Sequence, residues 1–185
     1  MSIASEKAGL RTRYRFERRE RFMKHSFSHL ADSDIFANTS HIASYISYGD
    51  EPSTYELNIA LLNNGKNLYL PRINDDQLEW GQWDGDNSDL TPSKFSKKLL
   101  EPTGPMLNDL TIIQAVIVPS LRIDGSGYRL GQGGGFYDRA LAELQVWSIG
   151  LIHPHEISSE DLPREDFDIP LKAAATPNLL MRFNS

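Results

Sequence analysis

Apolar positions in the first thirty residues recur at helical spacing: Leu10, Tyr14, Met23, Phe27 and Leu30 fall among arginines, with no Pro and no Gly after Gly9. This pattern predicts one long amphipathic helix from Glu6 to about Leu30. A short helix over Asp34 to Ser40 follows, and apolar and small residues then alternate as in a strand from Ile42 to Ser47. Ser53 and Glu56 stand three apart before Leu57, Ala60 and Leu61, the capping-box signature of a helix start, and Gly65 stands where such a helix stops. A helix from about Thr54 to Asn63 is expected, leading to a strand at AsnLeuTyrLeuPro, residues 67–71. A helix between two strands of one sheet favours a parallel pair.

Residues 74–110 are harder to read. Trp80 and Trp83 suggest a strand, but the acidic stretch from Asp84 and Pro92, Pro102, Gly104 and Pro105 suggest irregular chain. Residues 112–119, IleIleGlnAlaValIleValPro, form the most apolar and β-branched run and predict a central strand buried on both faces. Helix formers return from Phe136 to Leu144, and ValTrpSerIleGlyLeuIle reads as a further strand. Strands alternating with helices indicate one α/β domain whose ligands gather beyond the carboxyl ends of its strands.

Composition narrows the class. The 185 residues are 39% hydrophobic and 24% charged, with a net charge of −6, enough apolar material for one ordinary core. No run approaches the length of a membrane span, the first residues lack the apolar stretch of a secretory signal, and there is no cysteine for disulfides or thiolate metal sites. A cytoplasmic protein outside any membrane is expected. The first thirty residues carry eight Lys or Arg and three Glu, whereas the remainder carries 11 basic and 22 acidic residues. Because Glu6, Glu17 and Glu20 interleave with the arginines, this is the pattern of a solvated helix face, and no nucleic-acid partner is expected.

The chemistry concentrates in residues 129–139, ArgLeuGlyGlnGlyGlyGlyPheTyrAspArg. Gly131, Gly133, Gly134 and Gly135 permit positive φ and close approach of backbone N–H groups to an anion, and the helix behind them presents its positive end. Arg129 and Arg139 offer forked donors to phosphate. The alternative is a flexible surface loop. Neither familiar phosphate fingerprint fits, since no Lys-Ser/Thr follows the last Gly and Phe136 stands where a dinucleotide motif has Gly. Asp138 beside a phosphate loop suggests Mg²⁺, with a simple helix-dipole role as the alternative.

Residues 118–141 resemble the signature of the 5-formyltetrahydrofolate cyclo-ligases, also called 5,10-methenyltetrahydrofolate synthetases. Matching elements recur in order at Lys7 to Arg11, at 45–51, at 65–72, at Glu101 and Pro102, and at 168–171. The resemblance implies a three-layer α/β/α fold of the NagB/RpiA/CoA transferase type with a mainly parallel sheet. It also implies that Mg·ATP and 5-formyltetrahydrofolate are converted to ADP, phosphate and 5,10-methenyltetrahydrofolate. In that scheme the formyl oxygen attacks the γ-phosphate, N10 attacks the activated carbon, and phosphate leaves as the ring closes. No protein nucleophile is needed, in keeping with a chain that has no Cys.

Carried across, the resemblance assigns Lys7, Arg11, Arg129 and Tyr137 to catalysis. ATP contacts fall on those four residues and on Gly131, Gln132, Gly133, Gly134, Gly135, Phe136 and Asp138. The folate falls to Glu51, Tyr69, Pro71, Trp80 and Tyr137, and Mg²⁺ to Asp138 and Asp168. For Tyr69, Pro71 and Trp80 a core role is the alternative, for Glu51 a solvated loop, and for Lys7 and Arg11 surface charge. The chain departs from the family pattern at Phe167, where many relatives have His before the Asp, and at Pro177, where they often have Glu. A monomer acting on a small, possibly polyglutamylated folate is the expected working unit.

Overall fold

The computed structural model describes residues 2–183. A helix, α1 (Ile3–Glu20), opens the chain, capped by the Ser2 hydroxyl, which accepts from Ser5 N–H at 3.3 Å. It ends ten residues before the predicted end. Leu10 and Tyr14 pack with Leu121, Leu130 and Leu162, whereas Phe27 and Leu30 are buried in a different cluster under the main sheet. One straight helix cannot deliver its stripe to both places, so the chain breaks after Glu20 and re-enters through 3₁₀ turns at Ser28–Asp32 and Asp34–Phe36.

Strand β1 (His41–Ala43) is shorter than the alternation suggests. Ser44 N–H still bonds to the Tyr69 carbonyl at 2.8 Å, but the next carbonyl, that of Tyr45, accepts from the Thr54 hydroxyl (2.6 Å) and the Asn58 amide (3.0 Å). These bonds pull the chain from the sheet onto α2 (Tyr55–Asn63). The helix is where the sequence predicts it, but the capping box does not form: Thr54 is the N-cap, without a side-chain cap bond.

β2 (Asn67–Asn74) returns parallel to β1, completing the expected βαβ unit. β3 (Gln77–Trp83) then pairs antiparallel with the whole of β2, and a ribbon of β4 (Leu90–Pro92) and β5 (Leu100–Pro102) follows. The segment expected to be irregular is therefore largely sheet. Its hairpin turns through Asp75 at φ 53°, a conformation that acidic residues tolerate in turns.

β6 (Ala115–Pro119) is the central strand, as its composition predicts. A small antiparallel pair, β7 (Arg122–Asp124) and β8 (Arg129–Leu130), precedes α3 (Phe136–Leu144), β9 (Trp147–Leu151), β10 (Ile157–Ser158), β11 (Ala173–Thr176) and β12 (Leu179–Arg182). The main sheet has the order β12-β11-β9-β6-β1-β2-β3, parallel except at its two edge strands. Strand periodicity sends Ile42, Leu68, Leu70 and Ile117 to the face covered by α2, and Ala43, Tyr69, Val116 and Val118 to the face covered by α3. The result is the expected three-layer α/β arrangement.

Helix α1 lies at the cleft edge, against the β7–β8 pair. Arg18 fixes it there: its guanidinium is buried and donates to both Glu156 oxygens (2.6 and 2.7 Å) and to the Ser120 carbonyl (2.6 Å). Burial alone would lower the Arg18 pKa, but the Glu156 carboxylate more than offsets this and holds it above its usual value. Among the described residues no helix is long and apolar enough to cross a membrane.

Candidate functional site

A cavity of about 530 Å³ opens at the carboxyl ends of β1, β2 and β6. Its floor on one side is the glycine loop, Gly131 to Gly135. Gly133 has φ 112° and Gly135 φ 67°, so both occupy backbone conformations that disfavour a side chain. At Gly133 an added Cβ would lie 3.5 Å from Arg11 Nε, which shows how closely α1 covers the loop.

α1 delivers its cations to this wall because Lys7, Arg11 and Arg15 are spaced four apart on one face. Arg15 donates to the Gln132 carbonyl (2.7 Å) and side chain (2.9 Å), and Arg11 Nε donates to the Gly131 carbonyl (3.0 Å). Lys7, 5% exposed, donates to Glu165 (2.8 Å) and to Asp168. Beside the loop, where a Cβ on Gly131 would lie 2.6 Å from its Nη1, Arg129 pairs through Nη2 with Asp138 Oδ1 at 2.9 Å, while the buried Arg129 Nε has no protein partner. A buried donor left over beside a glycine cradle is what an anionic ligand would complete. Arg139 also lines the cavity beside the cradle, its guanidinium donating to the Asp76 and Gly134 carbonyls at 2.7 and 3.0 Å.

The opposite wall is more apolar. Pro71, Ile73, Leu78, Leu99 and Leu100 line it, and Glu51 closes it. Glu51 is 9% exposed, and burial pushes its carboxyl up to about 7 although the Tyr48 N–H donates to it at 3.1 Å. Burial also raises the phenols of Tyr45 and Tyr137, with the Glu51 charge adding to both, so these hydroxyls stay neutral donors. The Tyr45 hydroxyl is buried without a protein partner. The cavity thus joins a cationic, glycine-walled half to an apolar half ending in a carboxyl group.

Most residues singled out from the sequence converge here: Lys7, Arg11, Glu51, Pro71, Arg129, Tyr137, Asp138, Asp168 and the loop 131–136 all line the cavity. Tyr69 and Trp80 do not. Tyr69 shares a sheet face with Pro71 but leans to the amino end of β1, where its hydroxyl meets His41 Nδ1 at 2.8 Å and the rings stack 5.9 Å apart. Trp80 is fully buried behind the wall, edge-on to Tyr137 at 6.4 Å. Both therefore take the core role. Glu165, Tyr45, Tyr48, Leu99 and Leu100 line the cavity as well, and Arg15 bonds to the loop. Arg15 is legible in the sequence, because it continues the spacing of Lys7 and Arg11, but Glu165 meets Lys7 across 158 residues and leaves no local pattern.

Asp138 and Asp168 each keep one carboxylate oxygen outside the ion pairs described. No group of three or more His, Asp or Glu side chains suited to a metal occurs among the described residues. A free carboxylate oxygen of this kind is the donor that Mg²⁺ takes together with phosphate oxygens.

A mainly parallel sheet with a glycine cradle and arginines at its carboxyl edge defines an α/β protein built to hold an anion beside an apolar ligand. The sequence profile of the 5-formyltetrahydrofolate cyclo-ligase family matches residues 5–177, and the chain belongs to that family. It is 34% identical to the 5-formyltetrahydrofolate cyclo-ligase of Mycolicibacterium smegmatis over 74% of this chain and 73% of that one. Against the Escherichia coli K12 enzyme of the same name it is 32% identical over 78% and 80% of the two chains. In three dimensions it resembles the 5,10-methenyltetrahydrofolate synthetase of Aquifex aeolicus, with a TM-score of 0.76, 25% identity and coverage of 97% of this chain and 93% of that one. The fold is also similar to that of the Mycoplasma pneumoniae synthetase, with a TM-score of 0.67, 18% identity and coverage of 94% and 99%.

Proposed function

We propose that this chain, acting as a single domain, catalyses the ATP-dependent conversion of 5-formyltetrahydrofolate to 5,10-methenyltetrahydrofolate. The observation that carries the reading is the junction of two unlike half-sites in one cavity, a cationic glycine cradle and an apolar slot closed by Glu51. Such a junction suits a reaction in which a phosphate must meet an oxygen on a largely apolar, partly reduced pterin substrate. Family membership points the same way.

The residues act by alignment and charge stabilisation. Backbone N–H groups of residues 131–135 hold the phosphates, and Arg11, Lys7 and Arg129 offset their charge. When Lys7 and Arg129 turn to phosphate, Glu165, Asp168 and Asp138 lose partners they hold in the free protein. Asp138 and Asp168 are then free to hold Mg²⁺, which would supply charge neutralisation between phosphate oxygens. Glu51 accepts hydrogen bonds from the pterin, with Tyr48 N–H orienting it, and Pro71, Ile73 and Leu78 exclude water from one face. The formyl oxygen displaces ADP at the γ-phosphorus, the N10 lone pair adds to the activated carbon and closes the ring, and loss of the N10 proton and of phosphate leaves the methenyl product. A soluble monomer in the cytoplasm using a small, possibly polyglutamylated folate completes the proposal.

The test is direct. Enzyme, 5-formyltetrahydrofolate, ATP and Mg²⁺ should give the methenyl product, followed by its near-ultraviolet absorbance, and none without ATP. Arg11→Ala and Asp138→Ala should each lower kcat by about 10²-fold or more; the melting temperature should stay put in Arg11→Ala and fall in Asp138→Ala, which strips the buried Arg129 guanidinium of its carboxylate. Absence of product at micromolar enzyme would overturn the proposal. ATP binding without turnover would instead favour a nucleotide-binding protein.

A further inference from the structure

Phe167 is a large apolar ring left 61% exposed, yet it lines the cavity. It rides on the turn 165–168, closed by Asp168 N–H donating to the Glu165 carbonyl at 3.0 Å. Two of that turn's three carboxylates, Glu165 and Asp168, hold Lys7, and the Lys7 ammonium lies 5.7 Å from the Phe167 ring centroid, its only cation or ring contact among the described residues. The backbone of the turn is thus fixed while its aromatic side chain stands largely exposed. An isolated ring of this kind on a stiff support suits a flat ligand.

Which flat ligand follows from the order of groups along α1. Arg15 and Arg11 sit on the carbonyls of the glycine loop, and Lys7 lies one turn, about 5.4 Å, nearer the helix start. Phe167 lies beside Lys7. A phosphate chain seated on the loop and tracked by Arg11 and Lys7 therefore comes within reach of this ring. The apolar folate wall, Pro71 with Ile73 and Leu78, belongs instead to strands β2 and β3.

We infer that Phe167 is the platform on which the purine base of the nucleotide stacks. The inference rests on the proposed function, since it takes the cradle to be a nucleotide-phosphate site. Base-on-aromatic stacking depends on ring area and tolerates different bases. The site should therefore read the base by stacking more than by base-edge hydrogen bonds, with other purine triphosphates binding comparably to ATP.

Calorimetric titration of wild type, Phe167→Ala and Phe167→Trp with Mg·ATP, inorganic tripolyphosphate plus Mg²⁺, and 5-formyltetrahydrofolate separates the possibilities. Phe167→Ala should weaken ATP about tenfold, leave tripolyphosphate and the folate unchanged, and be rescued by Phe167→Trp. Because the ring is exposed, unliganded melting temperatures should coincide. Unchanged ATP affinity would overturn the inference, as would a loss confined to the folate or an equal loss for ATP and tripolyphosphate, which would mean that Phe167 acts through Lys7. If wild type bound neither ATP nor tripolyphosphate, the functional proposal itself would fail and this inference with it.

Discussion

In Glu51→Gln the side chain at the end of the cavity gives up its charge but keeps an acceptor for the Tyr48 N–H. Burial raises the wild-type carboxyl from an ordinary 4.5 to about 7, with the Tyr48 hydrogen bond and the Arg18 charge opposing the rise. A folded-state value above the unfolded one means that the native protein binds this proton more tightly. The associated stability is present in full below pH 4.5 and is lost as pH rises to about 7, beyond which no further loss occurs. At roughly 1.4 kcal/mol per pH unit the loss amounts to about 3 kcal/mol, and Glu51 is buried enough that solvent screening removes little of it. Urea unfolding of both unliganded proteins at pH 4.5, 6, 7 and 8 would read this. The stability of Glu51→Gln relative to wild type should grow by about 3 kcal/mol between pH 4.5 and 7 and then level off. A difference that stays flat to within about 0.5 kcal/mol would refute the reasoning, since it would place the carboxyl in water at its ordinary value.

Further outcomes follow from neighbouring features. Arg18→Met leaves Glu156 as a buried carboxylate without its cation, and should lower unfolding free energy by about 3–5 kcal/mol in a denaturant titration. Gly133→Ala asks a side chain to adopt φ 112°, so stability should fall by about 1–3 kcal/mol and ATP affinity should drop in the same calorimetric assay. Tyr69→Phe removes only the bond to His41; it should lower stability by about 1 kcal/mol and leave kcat and KM within about twofold in the absorbance assay.

The sheet and most of its order were legible because strands and helices announce themselves by period. Residues 112–119 mark the middle strand through sheer β-branched apolarity, and Ser53 to Gly65 mark a crossover helix. The same local signals misled where a non-local bond intervened. Tyr45 continues the alternation of β1, but Thr54 and Asn58 take its carbonyl and end the strand. Phe27 continues the helical stripe of α1, but its burial under the far face of the sheet demands a break. In the stretch 74–110, acidic residues and prolines disguised β3, whose pairing with β2 fixes Leu78 and Trp80 on one face and Trp83 on the other.

The amino-acid order by itself determined the chemistry on offer: a cradle of glycines that needs positive φ, cations one helical turn apart, and a carboxylate following a strand. Those properties reside in single residues or short spacings, so no fold is required to read them. Only the tertiary structure decided which of these groups meet. It turned Tyr69 and Trp80 inward, set Glu165 and Asp168 on Lys7, left Phe167 bare at the rim, and raised the Glu51 carboxyl by surrounding it. Each of these depends on partners far apart in sequence and on the exclusion of water, which the packed chain creates and a string of letters does not contain.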